Sequence, residues 1–192
     1  MSIILLLLRL PILVVHILVG LFTILFFPKE PKNFKNSHYR IMMLWMNILS
    51  SILGIKVDIR GIPDQSANLF VSNHVTYLDI IIINKLLPVN FIAKEEISSW
   101  PVIGRLASKT GTLFIKRGDN VESTKMIYEM EERFKLQNKI VFFPEGKIGN
   151  GKRVRKFHYK LFKSIENKEL YIQPIAIRYP VGYPINLSLI HI

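Results

Sequence analysis

Residues 73–79 read Asn-His-Val-Thr-Tyr-Leu-Asp and directly follow the apolar run 69–71, Leu-Phe-Val. This stretch places the imidazole of His74 and the carboxylate of Asp79 five positions apart, where a buried strand would end. A histidine partnered by an acid is the usual general base near neutral pH. Side chains on one face of a straight helix lie three or four residues apart, so we expect a turn that folds Asp79 back onto the His74 ring.

Short apolar runs alternate with amphipathic runs downstream of residue 55. The alternation predicts an α/β fold, a mostly parallel sheet flanked by helices on both faces. In open sheets of this kind, the turns that follow the strands carry the chemistry. The predicted strands are 57–60, 69–72, 90–93, 112–115, 140–143 and 171–177, and the predicted helices are 79–87, 102–109, 121–136 and 157–166.

Length and composition limit the class of protein. A chain of 192 residues is long enough for one domain with a core plus an appendage. The formal charge of +12 indicates anionic partners. A mean hydropathy of +0.27 favours anionic membrane lipids over nucleic acid as that partner. The chain contains no cysteine, which excludes a disulfide framework, a thiolate metal site and a cysteine nucleophile.

The amino-terminal third is strongly apolar. Residues 10–27 have the length of a membrane-spanning helix, and residues 3–8 extend the apolar run upstream. A secretory signal peptide is the rival interpretation, but the start is not basic and no small-residue cleavage site precedes Pro28, so we expect the segment to be retained. A second apolar run, 41–55, predicts a second helix.

The linker between the two runs is basic. It carries Lys29, Lys32, Lys35 and Arg40, which predicts that it lies on the cytoplasmic side of an inner membrane. We therefore expect a membrane anchor over residues 1–55 and a catalytic domain over residues 56–192. The second helix could instead cap the soluble core, and the sequence leaves both interpretations open.

Three further blocks follow the His-x4-Asp stretch. Residues 111–117 read Gly-Thr-Leu-Phe-Ile-Lys-Arg, residues 143–146 read Phe-Pro-Glu-Gly, and residues 173–177 read Gln-Pro-Ile-Ala-Ile. Four such blocks in this order resemble the glycerolipid acyltransferases, in particular the bacterial 1-acylglycerol-3-phosphate acyltransferases, over roughly the last two thirds of the chain. The resemblance also implies a two-helix element that dips into one leaflet and returns.

The resemblance implies an activity. A fatty acyl group would pass from acyl-carrier protein or coenzyme A to the sn-2 hydroxyl of lysophosphatidic acid (1-acyl-sn-glycerol-3-phosphate), giving phosphatidic acid, without a metal or bound cofactor. One alternative is the same reaction on another lysolipid, such as a lyso-ornithine lipid. Another is a membrane-lipid-binding protein without catalysis. The family resemblance also predicts further residues beyond Ile192, so that the sequence given would be shortened at its carboxyl end.

The catalytic residues implied are His74, as general base, and Asp79, which would hold the ring tautomer and stabilise the imidazolium. Asn73 is expected to fix the turn, and Thr76 to be structural. No Gly-x-Ser-x-Gly elbow is found in the sequence, so direct transfer is favoured over a covalent acyl-enzyme. Ser72 adjoins the motif, and the sequence leaves its role open.

The substrate-binding residues implied lie at the ends of other strands. Arg117 occupies the position of the family's arginine and suits a bidentate grip on phosphate, with Lys116 and Lys94 as weaker candidates. A tight turn at Pro144 and Gly146 would present Glu145 to the glycerol hydroxyl of the acceptor.

One block departs from the family pattern. Lys147 and Ile148 follow Gly146, where family members usually have a small hydroxyl residue and often an arginine beyond it. Residues 147–163 contain seven Lys or Arg and no acid. This stretch could bind lipid headgroups or coenzyme A phosphates, or it could be a solvated basic face.

Overall fold

The computed structural model describes residues 3–116, 120–149, 153–179 and 187–191, with the backbone alone for 3–6, 32 and 187–191. The helices of this part of the chain are α1 (Ile3–Thr23), α2 (Asn36–Ile52), α3 (Leu78–Leu86), α4 (Ile103–Lys109) and α5 (Asn120–Lys135). The strands are β1 (Lys56–Arg60), β2 (Ala67–Ser72), β3 (Val89–Lys94), β4 (Leu113–Ile115), β5 (Lys139–Phe142), β6 (Tyr171–Arg178) and β7 (Leu187–His191). Short 3₁₀ helices span Ile24–Phe26, Pro31–Asn33, Glu95–Ser99 and Tyr159–Ile165.

The strands form one sheet in the order β1-β7-β6-β2-β5-β3-β4. Neighbouring strands are parallel except β6 and β7, which are antiparallel. The predicted mostly parallel sheet with flanking helices is therefore confirmed. Because parallel strands end at the same edge, the residues after β2, β3, β4, β5 and β6 all emerge along one side of the sheet.

The central strands of the sheet are buried on both faces. Leu69 and Phe70 are adjacent in β2 and both fully buried, yet they belong to two different apolar clusters. Phe70 packs in the cluster that contains Ile82 of α3, and Leu69 packs in the cluster that contains Met130 of α5. A strand covered on both sides reads as a continuous apolar run, which is why residues 69–71 lack alternation.

One predicted element differs from the structure, and one strand of the structure is absent from the predicted set. The helix predicted over 157–166 is a 3₁₀ helix, Tyr159–Ile165, in which Phe162 and Ile165 recur at the three-residue repeat of that helix and pack on the core. Strand β7 was not predicted. It joins the edge by pairing with both β1 and β6.

Helix α1 is long and apolar. By length and composition, the stretch Leu7–Phe26 could cross a membrane, with a hydropathy of 2.3. The helix runs through Pro11 and packs against α2, where His16 stacks on Trp45 at 4.5 Å between ring centroids. A Cβ on Gly20 would lie 2.7 Å from the Trp45 ring, so the glycine permits this close approach.

Helix α2 packs against both α1 and α3. Lys85 of α3 donates a hydrogen bond to Ser50 of α2 at 3.2 Å. The two-helix membrane element is therefore not confirmed, and the capping of the core by α2 is what the structure shows. The division of the chain at residue 55 stays a prediction.

Hydrogen bonds of the Tyr39 hydroxyl anchor α2 to the sheet. The Tyr39 side chain is 8% exposed. Its hydroxyl donates to Asn90 Oδ1 at 3.1 Å and to Asn138 Oδ1 at 3.0 Å, so one proton is shared between two buried amides. Asn90 lies in β3 and Asn138 directly precedes β5. Burial raises the pKa of Tyr39, which keeps the hydroxyl a donor.

We predict that Tyr39→Phe lowers the free energy of unfolding by about 1–3 kcal/mol, because it leaves buried amide oxygens without their donor. Chemical denaturation of the detergent-solubilised protein measures the change. Tyr128→Phe, which removes a hydroxyl from a side chain that is 64% exposed, is the matched control and should change stability by less than about 0.5 kcal/mol. Equal stabilities for the two variants would contradict the anchoring role of Tyr39.

Candidate active site

The turn after β2 brings His74 and Asp79 into contact. His74 Nδ1 lies 2.8 Å from Asp79 Oδ2, and the Asp79 side chain is fully buried. An ionised carboxylate only accepts hydrogen bonds, so Nδ1 carries the proton and Nε2 is left as the basic nitrogen. The five-residue spacing thus closes through a turn, as the sequence predicts.

Backbone groups of the turn hold the Asp79 carboxylate. Oδ2 accepts the N–H of Val75 at 2.6 Å and the N–H of Thr76 at 3.0 Å. The Thr76 hydroxyl in turn accepts the N–H of Leu78 at 2.9 Å, at the start of α3. Asp79 lies in the first turn of that helix. Its carboxylate therefore links the end of β2, the turn and the start of α3.

Tyr179 is a site residue that the sequence analysis missed. It follows β6, and its hydroxyl donates to Asp79 Oδ1 at 2.7 Å. Burial, and then the Asp79 charge, raise the pKa of Tyr179 far above its usual range. The feature of the sequence that could have identified Tyr179 is its position directly after the strand that carries the fourth motif.

Asn73 ties the turn to β6. Its amide donates to the Ile177 carbonyl at 2.9 Å and accepts the Ile177 N–H at 2.7 Å. This two-point contact is the fixing role expected of Asn73. Ser72, the neighbouring residue, is buried and donates its hydroxyl to the Asn73 carbonyl at 3.0 Å.

Phe143 supports the His74 ring. The two rings stack at 4.0 Å between centroids, with 13° between their planes. Phe143 follows β5, the neighbour of β2, so the strand order places it beside the histidine. Phe143 belongs to the third sequence motif, and its contact with His74 is not predicted by that motif.

The third motif forms the predicted tight turn. Gly146 donates its N–H to the Phe143 carbonyl at 3.0 Å and has a φ of 68°, a left-handed conformation that glycine adopts without strain. Glu145 is buried in this turn, and its Oε2 accepts the backbone N–H of Arg155 at 3.1 Å.

A cleft of about 1210 Å³ opens in front of His74. Its walls combine apolar side chains with cations, and its volume exceeds the range of roughly 300–1,000 Å³ typical of small-molecule sites. Glu145 and Gly146 also line it, together with Tyr77 and Trp100 at its mouth. The apolar residues include Ile80, Phe91, Ile92, Ile97 and Phe142, and the cations are Lys94, Lys147, Arg155, Lys156 and Lys160.

The remaining predicted site residues lie on the neighbouring strands. Lys94 ends β3 and lines the cleft. Lys116 is exposed just after β4, the strand paired with β3. Arg117 lies outside the described residues. The structure therefore brings His74, Asp79, Glu145, Gly146 and Lys94 to one side of the sheet.

A second, smaller cavity of about 100 Å³ adjoins His74. Asn73, Glu145, Gly149 and Arg153 line it, so Glu145 and His74 border both cavities. Gly149 donates its N–H to the His74 carbonyl at 2.7 Å, which holds the residues after the third motif against the turn.

A histidine held by a buried carboxylate, at the strand ends of a parallel sheet and beside a partly apolar cleft, is an arrangement that can activate a hydroxyl or water for group transfer in an α/β protein. Residues 55–178 match the model of the protein family described as Acyltransferase, and the chain belongs to this family.

Similar proteins fall into two named groups. The chain is 35% identical over 140 residues to a lyso-ornithine lipid O-acyltransferase of Pseudomonas aeruginosa, covering 73% of this chain and 54% of that protein. It is 30% identical over 147 residues to a 1-acyl-sn-glycerol-3-phosphate acyltransferase of Neisseria gonorrhoeae, covering 76% and 57%. The chain thus spans about half the length of the curated relatives it matches.

A solved structure shares the fold. The crystal structure of the 1-acyl-sn-glycerophosphate acyltransferase PlsC from Thermotoga maritima superposes with a TM-score of 0.62 over 80% of this chain and 66% of that chain. The two sequences are 18% identical, so this likeness concerns the fold alone.

We predict that Asp79→Ala lowers the free energy of unfolding by about 3–5 kcal/mol, because it leaves a partly buried histidine, a tyrosine hydroxyl and two backbone N–H groups without their acceptor. Thermal and denaturant unfolding measure the loss. His74→Ala, which removes one partner and leaves the carboxylate with its other donors, is the matched control and should cost less than about 2 kcal/mol. A stable Asp79→Ala protein would show that the carboxylate does not hold the turn.

Proposed function

We propose that this protein is a membrane-associated O-acyltransferase. It transfers a fatty acyl group from an acyl-carrier-protein or coenzyme A thioester to the sn-2 hydroxyl of 1-acyl-sn-glycerol-3-phosphate, forming phosphatidic acid. The observation that carries the proposal is the His74–Asp79 pair, 2.8 Å apart, at a large cleft lined by apolar side chains and cations. Family membership agrees with this reaction class.

His74 acts as the general base. Its Nε2 takes the proton of the acceptor hydroxyl while that oxygen attacks the thioester carbonyl, and Asp79 stabilises the imidazolium that forms. The tetrahedral intermediate then collapses: the new C–O bond remains, the C–S bond breaks, and the imidazolium returns the proton to the departing thiolate. The step uses side chains and the two substrates, and needs no metal or bound cofactor.

Direct transfer fits this site better than a covalent acyl-enzyme. The chain has no cysteine. Ser72, the hydroxyl residue next to the motif, is buried and donates to the Asn73 carbonyl. Direct transfer requires both substrates to bind at the same time. The cleft volume of about 1210 Å³ leaves room for more than one acyl chain.

Charge supports a phosphate-bearing acceptor. The residues that line the cleft include five cations and the two acids Glu96 and Glu145. Arg117 is assigned to the acceptor phosphate by its motif, with Lys116 and Lys94 at neighbouring strand ends. Glu145 is assigned to the glycerol hydroxyl of the acceptor, since it borders both cavities beside His74.

Sequence identity favours a lyso-ornithine lipid as a second candidate acceptor. Identity to the lyso-ornithine lipid O-acyltransferases of Pseudomonas aeruginosa and Rhodobacter capsulatus is 35% and 36%, against 30% for the Neisseria gonorrhoeae lysophosphatidate enzyme. An ornithine headgroup offers a carboxylate and an ammonium instead of a phosphate. The two acceptors therefore differ in their need for Arg117.

The proposed location is the cytoplasmic face of the inner membrane. Support comes from the apolar stretch Leu7–Phe26 and from the basic linker that follows it. Most described side chains of α1 are exposed, and α2 exposes Ile41, Leu44 and Ile48 beside α1. This surface favours contact with lipid, and basic residues near an anionic surface add about 1 kcal/mol each.

The deciding experiment supplies the purified 192-residue chain in detergent with an acyl donor and each acceptor in turn. Mass spectrometry of the products distinguishes phosphatidic acid from acylated ornithine lipid. Acyl-carrier-protein and coenzyme A donors are compared in parallel. Formation of neither product, with no thiol released from either donor, would contradict the proposal and favour a lipid-binding role.

We predict that His74→Ala lowers kcat by about 10²–10⁴-fold, because general base catalysis contributes a factor of this size. Thiol release from the donor measures the rate. His38→Ala, near the amino end of α2, is the control and should retain native activity. Native kcat in the His74→Ala protein would contradict the assignment of the base.

We predict that Arg117→Ala lowers kcat/KM for lysophosphatidate by roughly 10- to 150-fold, the effect of losing a charged hydrogen bond of about 1.5–3 kcal/mol. Slow hydrolysis of the thioester should persist, since water needs no phosphate site. Arg117→Lys should recover part of the rate, because an ammonium lacks the planar two-point grip. An equal loss of hydrolysis and transfer would assign Arg117 to the fold or to the donor site.

A further inference from the structure

We propose that Tyr179 is a positioning residue for acyl transfer: its hydroxyl fixes the orientation of the Asp79 carboxylate, and through it the orientation of the His74 ring. The proposal rests on the proposed general-base role of His74. Tyr179 lies 100 residues beyond Asp79 in the chain, outside all four sequence motifs.

The two oxygens of the Asp79 carboxylate have different partners. Oδ2 faces His74 and the backbone N–H groups of Val75 and Thr76, whereas Oδ1 accepts the Tyr179 hydroxyl at 2.7 Å. A carboxylate held through both oxygens cannot turn about its Cβ–Cγ bond without breaking hydrogen bonds in a fully buried site. Tyr179 therefore selects the oxygen that meets Nδ1.

Thr76 extends this arrangement into a chain of hydroxyl groups. Thr76 Oγ1 lies 3.3 Å from Tyr179 Oη. Because the single Tyr179 proton points to the carboxylate, Thr76 is the donor in this contact. A donated bond polarises the phenol and strengthens its own bond to Asp79. Burial keeps Tyr179 protonated, so the donor is present throughout the working pH range.

The backbone brings Tyr179 to this place. The Asn73 side-chain amide forms hydrogen bonds with both the carbonyl and the N–H of Ile177, two residues before Tyr179. The Tyr179 ring packs against the apolar cluster that contains Phe70 and Ile82. The ring is thus anchored in the core while its hydroxyl reaches the carboxylate, which suits a group that sets geometry.

Tyr179→Phe tests the proposal because it keeps the ring and removes only the hydroxyl. We expect kcat to fall roughly 10- to 100-fold, with KM for donor and acceptor unchanged within about twofold. Tyr171→Phe is the matched control, since Tyr171 begins the strand that Tyr179 directly follows and is 62% exposed. The proposal is overturned if Tyr179→Phe has native kcat. It is also overturned if the fall in activity equals the fall in the fraction of folded protein.

A double-mutant cycle separates positioning from a purely structural role. If Tyr179 acts through the carboxylate, adding Tyr179→Phe to Asp79→Asn changes kcat further by less than about twofold, because coupled residues are not additive. If the two substitutions lower kcat by independent factors that multiply in the double mutant, the proposal is overturned.

A spectroscopic readout keeps this test distinct from that of the proposed function. In protein with labelled histidine, the His74 Nδ1 proton reports the bond to Asp79 without any substrate. Tyr179→Phe should shift or broaden this signal, and Tyr171→Phe should leave it unchanged. Absence of acyl transfer by the native protein defeats the proposed function, whereas an unchanged Nδ1 signal in Tyr179→Phe defeats the role of Tyr179.

Discussion

The buried carboxylate of Asp79 is the constraint on which the site depends. A charge out of contact with water is costly unless it is fully paired. Here its partners come from the strand end, the turn and a distant strand: His74, the N–H groups of Val75 and Thr76, and Tyr179. The turn must therefore adopt one conformation, and that conformation leaves His74 Nε2 as the basic nitrogen at the cleft.

The parallel sheet supplies the rest of the site. Strands β2, β5 and β3 are neighbours, and their carboxyl ends deliver His74, Phe143 with Glu145, and Lys94 to the same edge. The aromatic stack at 4.0 Å and the tight turn at Gly146 follow from this adjacency. The resulting cleft combines apolar walls with cationic side chains, which suits the proposed acyl thioester and anionic lysolipid.

The amino-terminal helices connect this site to its proposed membrane setting. Helix α1 has the length and composition of a membrane helix, whereas α2 is anchored to β3 and α3 through hydrogen bonds of Tyr39 and Ser50. The two helices share the His16–Trp45 stack. An apolar helix held on the domain by its partner can keep the cleft close to the lipid surface from which a lysolipid substrate would come.

The sequence by itself determined the parallel α/β sheet, the closure of His74 on Asp79, and the tight turn at Gly146. The two turns follow from residues close together in the chain, and the class of sheet follows from the alternation of short apolar and amphipathic runs. Only the tertiary structure decided that Tyr179 reaches Asp79, that Phe143 stacks on His74, and that α2 packs on α3. These contacts join residues far apart in the chain, and they depend on strand order and register, which local patterns do not encode.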